Sequence, residues 1–122
     1  MEKKSTIFCD IDGTIFKYRK FETYKDSKPE VLPKVRETIS KWRKDGHMVI
    51  LTTARPDSLY THTILELSNQ AIEFDKLIMG IERGPRILIN DMDPNKPGQR
   101  AMGVNLNRDE GFEGIDWTDY GI

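Results

Sequence analysis

Apolar positions along the chain fall into short runs of two kinds. Ile7, Phe8 and Cys9 form a compact apolar run that reads as a buried strand, stopped by a turn at Gly13. Val35, Ile39 and Trp42 recur at helical spacing, with Lys34, Arg36, Lys41 and Arg43 on the other faces. This helix is predicted to open at Pro29, or at Pro33 as its first-turn residue, and to end at Asp45-Gly46. His47 to Leu51 is a second strand, continuously apolar as a parallel strand covered on both faces should be. Ser58 to Gln70 lacks Gly and Pro and is long enough for a second helix, with Asp57 or Ser58 as its cap. Ile72 to Met79 holds a connection and a third short strand, and Ile87 to Ile89 reads as a fourth. Met102, Val104 and Leu106 alternate within a predicted last strand over 101–106. Strands alternating with helices predict an α/β fold with a parallel sheet.

The length, 122 residues, sets one domain, residues 1–122, with room for one core. Residues 15–28 are too polar for core and too irregular for a long helix, and residues 107–122 read as an irregular acidic arm. That arm could cover a sheet edge or meet a second subunit, so a homo-oligomer stays open. A net charge of −1 gives no global basic field, which argues against nucleic acid as the partner. The single cysteine, Cys9, excludes an internal disulfide and suits a buried strand. No apolar stretch reaches membrane-spanning length, and Met1 to Lys4 leads into a strand without a signal run. A reduced, cytoplasmic setting is the expectation.

The candidate chemistry sits at strand ends. Asp10 and Asp12 follow the first strand, and ligands of parallel α/β sheets bind beyond the carboxyl ends of strands. Paired carboxylates repel and call for a cation or a shared proton. Mg²⁺ takes oxygen ligands and binds through one or two carboxylates plus substrate phosphate. An aspartate so placed can act as a nucleophile through an aspartyl-phosphate. The second strand runs into Thr52-Thr53-Ala54-Arg55, where a hydroxyl beside early helix N–H groups can hold phosphate. The run 86–89 ends in Asn90-Asp91-Met92-Asp93, again acids behind an apolar strand.

Asp10-Ile11-Asp12-Gly13-Thr14 resembles the first motif of the haloacid dehalogenase-like (HAD) phosphohydrolases, and the later strand ends follow in that family's motif order. The resemblance implies a three-layer, Rossmann-like parallel sheet with a short flap over residues 15–28 and no large cap domain. It implies Asp10 as nucleophile and Asp12 as general acid/base, with Gly13 and Thr14 beside the phosphate. Thr53, or Thr52 as runner-up, would hold phosphate, and Arg55 would reach a substrate anion or brace its loop. The family's third-motif cation has Arg83, Arg86 and Lys76 as candidates, in that order. Mg²⁺ would be held by Asp10, the Asp12 carbonyl and Asp91, with Asn90 and Asp93 as further contacts. The implied activity is a Mg²⁺-dependent phosphatase acting on a phosphorylated metabolite or glycan. A non-catalytic metal-binding module and a nucleic-acid end phosphatase are the alternatives.

Overall fold

The computed structural model describes residues 4–122; Met1 to Lys3, part of the charged lead-in, lie outside the described residues. Three parallel strands, β1 (Thr6–Asp10), β2 (Met48–Thr52) and β3 (Lys76–Ile78), form a sheet in the order β1-β2-β3. Two helices, α1 (Val35–Lys44) and α2 (Tyr60–Asn69), make the crossovers between them. The chain is therefore α/β with a Rossmann-like parallel sheet. Because parallel crossovers are right-handed and the strand order advances one way, both helices fall on the same face of the sheet.

Register explains which side chains meet them. Ile7 pairs with Val49 and Cys9 with Leu51, and these four point toward the helices. There Cys9, Val49 and Leu51 join Val35, Ile39 and Trp42 of α1 and Leu67 of α2 in one core. Phe8, Met48 and Ile78 face the other way and are exposed. The period of two along each strand thus divides one apolar run between a packed face and an open one.

α1 begins later than the prolines suggest. Lys17 N–H donates to the Glu30 carbonyl and Leu32 N–H to the Ile15 carbonyl, so residues 30–32 are held extended against 15–17. Lys34 then takes a left-handed φ of 66°, and helix starts only at Val35. The same pairing forms the base of the flap. Residues 18–29 loop out from it, with a 3₁₀ turn at Phe21–Thr23.

Two predicted strands do not form. Ile87 to Ile89 pairs with no strand; Ile87 is 84% exposed and Ile89 88% exposed. Residues 101–106 are likewise irregular. The reason lies in the connection. A parallel strand needs a return crossover of about a dozen residues or more. Only eight residues, 79–86, separate β3 from Ile87.

The C-terminal arm packs on α1. Phe112 and Trp117 stack on Trp42 with ring centroids 5.6 and 5.1 Å away. Gly111 makes this possible: its φ is +68°, and a Cβ there would lie 2.6 Å from the Pro33 carbonyl oxygen. Phe112 N–H donates to that same oxygen at 2.9 Å. Gly111→Ala combines a disfavoured φ with a backbone clash and is expected to cost about 2 kcal/mol or more. Urea unfolding measures it; an unchanged midpoint would show that the arm is not fastened there.

Candidate active site

β1 delivers Asp10 to the sheet's carboxyl edge, and the loop behind it is tightly built. The amides of Thr14, Ile15 and Phe16 all converge on the Ile11 carbonyl, and Gly13 N–H donates to the Phe16 carbonyl at 2.7 Å. Ile11, Ile15 and Phe16 are fully buried, so this loop is rigid although it is not a strand. Gly13 turns it with φ +90°, a conformation that favours glycine.

Asp10 stays open, its side chain 40% exposed, with Arg86 Nη2 at 3.7 Å from Oδ1. Thr14 Oγ1 donates to Asp10 Oδ2 at 3.2 Å. Partial burial raises the Asp10 pKa above its ordinary value; Arg86 and Thr14 work against that rise and Asp12 adds to it. Its neighbour Cys9 is pushed up to about 12 by burial and then by Asp10, so it is a core thiol and not a nucleophile.

Asp12 has a different environment. Arg55 grips it bidentately, Nε to Oδ2 at 2.9 Å and Nη2 to Oδ1 at 2.8 Å. Nη1 of the same guanidinium donates to Thr63 Oγ1 at 3.0 Å and to Glu66 Oε1 at 2.8 Å. Glu66 is in turn held by Arg19 of the flap through two bonds of 2.9 and 2.8 Å. The Tyr24 ring lies under the Arg55 guanidinium, 4.3 Å to the centroid. Burial disfavours the Arg55 charge, but Asp12 and Glu66 outweigh it and raise its pKa. Burial likewise opposes charge on Glu66, and Arg19 with Arg55 overcomes it and lowers the pKa. Tyr24 is pushed up to about 12, by burial first and by Asp12 next, and stays neutral.

These residues open into one cleft of about 180 Å³. Of the residues singled out in the sequence, it gathers Asp10, Asp12, Thr53, Arg55, Arg83 and Arg86. Thr53 is buried, and its Oγ1 accepts from Arg55 N–H at 3.0 Å, which leaves its hydroxyl proton free to donate into the cleft. Arg83 and Arg86 both line the cleft, whereas Lys76 opens β3 and does not. Tyr18, Phe21 and Tyr24 form the flap wall. The flap's lysines are not in that wall; the cationic lining comes from the loops after β2 and β3 and from the arm.

Asp91 is not brought to this site. It is 76% exposed and pairs with Arg100 at 3.5 Å. Asn90 bonds only to Asp91, and Asp93 closes a turn by accepting from Asn95 N–H. Among the described residues no group of three or more His, Cys, Asp or Glu could hold a metal ion. Without a fourth strand, nothing carries Asp91 to the tip of β1, so it does not join Asp10 and the Asp12 carbonyl there. Asp10 supplies one open carboxylate, and the Asp12 side chain is taken by Arg55. The gathered residues therefore lack one carboxylate of the expected Mg²⁺ ligand set.

Two participants, Glu66 and Arg108, were not singled out in the sequence, and a third, Arg19, is read there only as one of the flap's basic residues. Glu66 sits on the buried stripe of α2 with Thr63 and Leu67, at i, i+3 and i+4 positions, and an acid on such a stripe was the available signal. Arg19 partners it from the flap. Arg108 lines the cleft from the arm, inside the turn-rich Asn107 to Gly111.

A parallel α/β domain thus carries an open aspartate and a half-buried, arginine-held one at the tip of its first strand, with further arginines lining the cleft. The chain belongs to the haloacid dehalogenase-like hydrolases: the model of that family matches residues 7–79. No curated protein matches the chain. No helix among the described residues is long and apolar enough to cross a membrane.

Removing the central cation should unmake the site. Arg55→Met leaves Asp12 and Glu66 without their shared partner at a position 1% exposed. The expected loss is about 3–5 kcal/mol by chemical denaturation. Arg55→Lys, which cannot grip bidentately, should recover only part of it. Equal stability of Arg55→Met and the parent chain would refute the network's role.

Acid should act through Glu66. Its folded pKa lies below the ordinary 4.5, so its contribution is complete above that value and disappears as pH falls through the folded one. The gap in Tm between the parent chain and Glu66→Gln should be widest near neutrality and narrow below about pH 4.5. A constant gap from pH 7 to 3 would contradict this.

Proposed function

We propose that the protein is a phosphoric monoester hydrolase that works through an aspartyl-phosphate on Asp10. The observation that carries the reading is the open Asp10 carboxylate at the tip of β1, facing Arg86 across a cleft that Arg83 also lines. The resemblance of Asp10-Ile11-Asp12-Gly13-Thr14 to the first motif and membership of the hydrolase family support it.

In the first step an Asp10 oxygen attacks phosphorus, an acyl-phosphate bond forms, and the ester P–O bond breaks. The leaving alkoxide takes a proton from Asp12, which enters the step as the carboxylic acid and is left as the carboxylate that pairs with Arg55. In the second step water attacks the acyl-phosphate, gives its proton to Asp12, and releases inorganic phosphate with the Asp10 carboxylate restored. Arg55 takes two of the roughly four lone-pair positions on Asp12, and the others remain for proton transfer. Arg55 also fixes the Asp12 side chain, so the proton is held in one place relative to Asp10. Thr53 and the two arginines hold the phosphoryl oxygens, where charge is spread in the transition state. The Mg²⁺ of the family enters no step here, because the gathered residues do not make its site.

The open cleft suits a small phosphorylated metabolite or the phosphorylated end of a glycan, whose organic part can extend past the aromatic flap wall. The free, buried Cys9 fits a reducing compartment such as the cytoplasm. A second reading, a phosphate-binding module without turnover, draws on the bidentate ion pair that holds Asp12 as a carboxylate against Arg55.

Asp10→Asn separates the two. It keeps the shape of the side chain and should lower turnover of p-nitrophenyl phosphate by roughly three orders of magnitude or more. It should not lower Tm at neutral pH. The raised pKa of Asp10 means that its charge disfavours the folded state above that value, and the amide has no such charge. Parent-like turnover by Asp10→Asn would defeat the enzymatic reading.

A further inference from the structure

The arm that packs on α1 also reaches the cleft. Arg108 lines it, and its Cζ lies 4.2 Å from the centre of the Tyr18 ring. Its side chain runs across Gly13: a Cβ at that glycine would sit 3.2 Å from Arg108 Cγ. The next residue fastens this position from two sides. Asp109 N–H donates to the Gly13 carbonyl at 2.9 Å, and Asp109 Oδ1 accepts from Tyr18 N–H at 2.7 Å. The chain beside Arg108 is thus fastened through Asp109, and its guanidinium rests on the Tyr18 ring.

Its charge is unclaimed. Four guanidinium groups line the cleft. Arg55 is consumed by Asp12 and Glu66, and Arg86 leans on Asp10. Arg83 and Arg108 have no carboxylate partner among the described residues. Two unpaired positive charges match the charge of roughly −1.5 to −2 on a phosphate monoester at neutral pH. A guanidinium stacked on an aromatic ring keeps its N–H edge free, and that edge fits phosphate oxygens.

We propose that Arg108 is a substrate-binding residue: stacked on Tyr18 and laid across Gly13, its guanidinium takes an oxygen of the phosphate group seated against Asp10. Tyr18 is a positioning residue that acts through Arg108. This rests on the phosphohydrolase reading for the identity of the bound group, while the binding step can be measured without any turnover.

The test is binding of inorganic phosphate to the full chain by calorimetry at fixed ionic strength, together with p-nitrophenyl phosphate kinetics. Arg108→Gln should weaken phosphate binding about tenfold, as expected for one charge-assisted contact. In kinetics it should raise KM by a similar factor and change kcat less. Arg108→Lys should restore part of the affinity, and Tyr18→Leu should weaken binding with Arg108 still present. Arg108 is exposed, and an unchanged Tm in Arg108→Gln shows that the fold is not what was lost. Parent-like phosphate affinity in Arg108→Gln overturns the proposal, as does a parent chain that does not bind phosphate. If Asp10→Asn retains turnover while Arg108→Gln still loses affinity, the aspartyl-phosphate reading fails and the binding role of Arg108 stands.

Discussion

The structure depends on one buried guanidinium. Arg55 uses Nε, Nη1 and Nη2 at once, with two bonds to Asp12 and two to residues of α2. Asp12 belongs to the loop after β1, Arg55 to the loop after β2, and Thr63 and Glu66 to α2. Glu66 passes the connection on to Arg19 in the flap. Burying such a set costs several kcal/mol per ion in desolvation, and it is repaid only if nearly every donor and acceptor is matched. Here the match is close: both Asp12 oxygens and both Glu66 oxygens accept bonds. The apolar core fixes the sheet against its helices, but this network fixes the flap and the two loops against each other.

That arrangement also gives the two aspartates different surroundings. They lie two residues apart at one strand tip, yet one is locked and the other is open. Arg55 leaves Asp12 a single orientation. Asp10 has only a hydroxyl at 3.2 Å and a guanidinium at 3.7 Å, and neither blocks its approach to the cleft. Partial desolvation raises the Asp10 pKa. The network thus fixes Asp12 in place without closing the cleft around Asp10.

Local pattern made the first half of the molecule legible. Compact apolar runs located β1 and β2, and helical spacing located α1 by Val35, Ile39 and Trp42; the acids at the first strand end line a cleft. The run Ile87 to Ile89 has the same local pattern, but strand formation also needs a neighbour within reach of the connecting chain. Periodicity says nothing about that; the length of 79–86 does. The misplacement of Asp91 follows from this single error, and the family match, which ends at residue 79, lends that region no support. Arg55 was read as reaching an anion or bracing a loop, and it braces. Which of these an arginine does depends on the acids that folding brings to it, here Asp12 and a helix acid eleven residues further on.

The arm shows why residues distant in sequence become part of such a site. Phe112 is held in the core by Trp42 and by the Pro33 carbonyl, and Gly111 lets the chain pass Pro33 closely enough to make that bond. Arg108 lies only four residues before Phe112, and Asp109 bridges the gap by binding Gly13 and Tyr18. The position of a cleft cation is thereby set by aromatic packing against Trp42 of α1. A glycine at 13 is needed twice over, once for the turn that follows Asp12 and once for the space that Arg108 occupies above it. The same small residue that shapes the loop behind Asp10 thus makes room for a charge that lines the cleft.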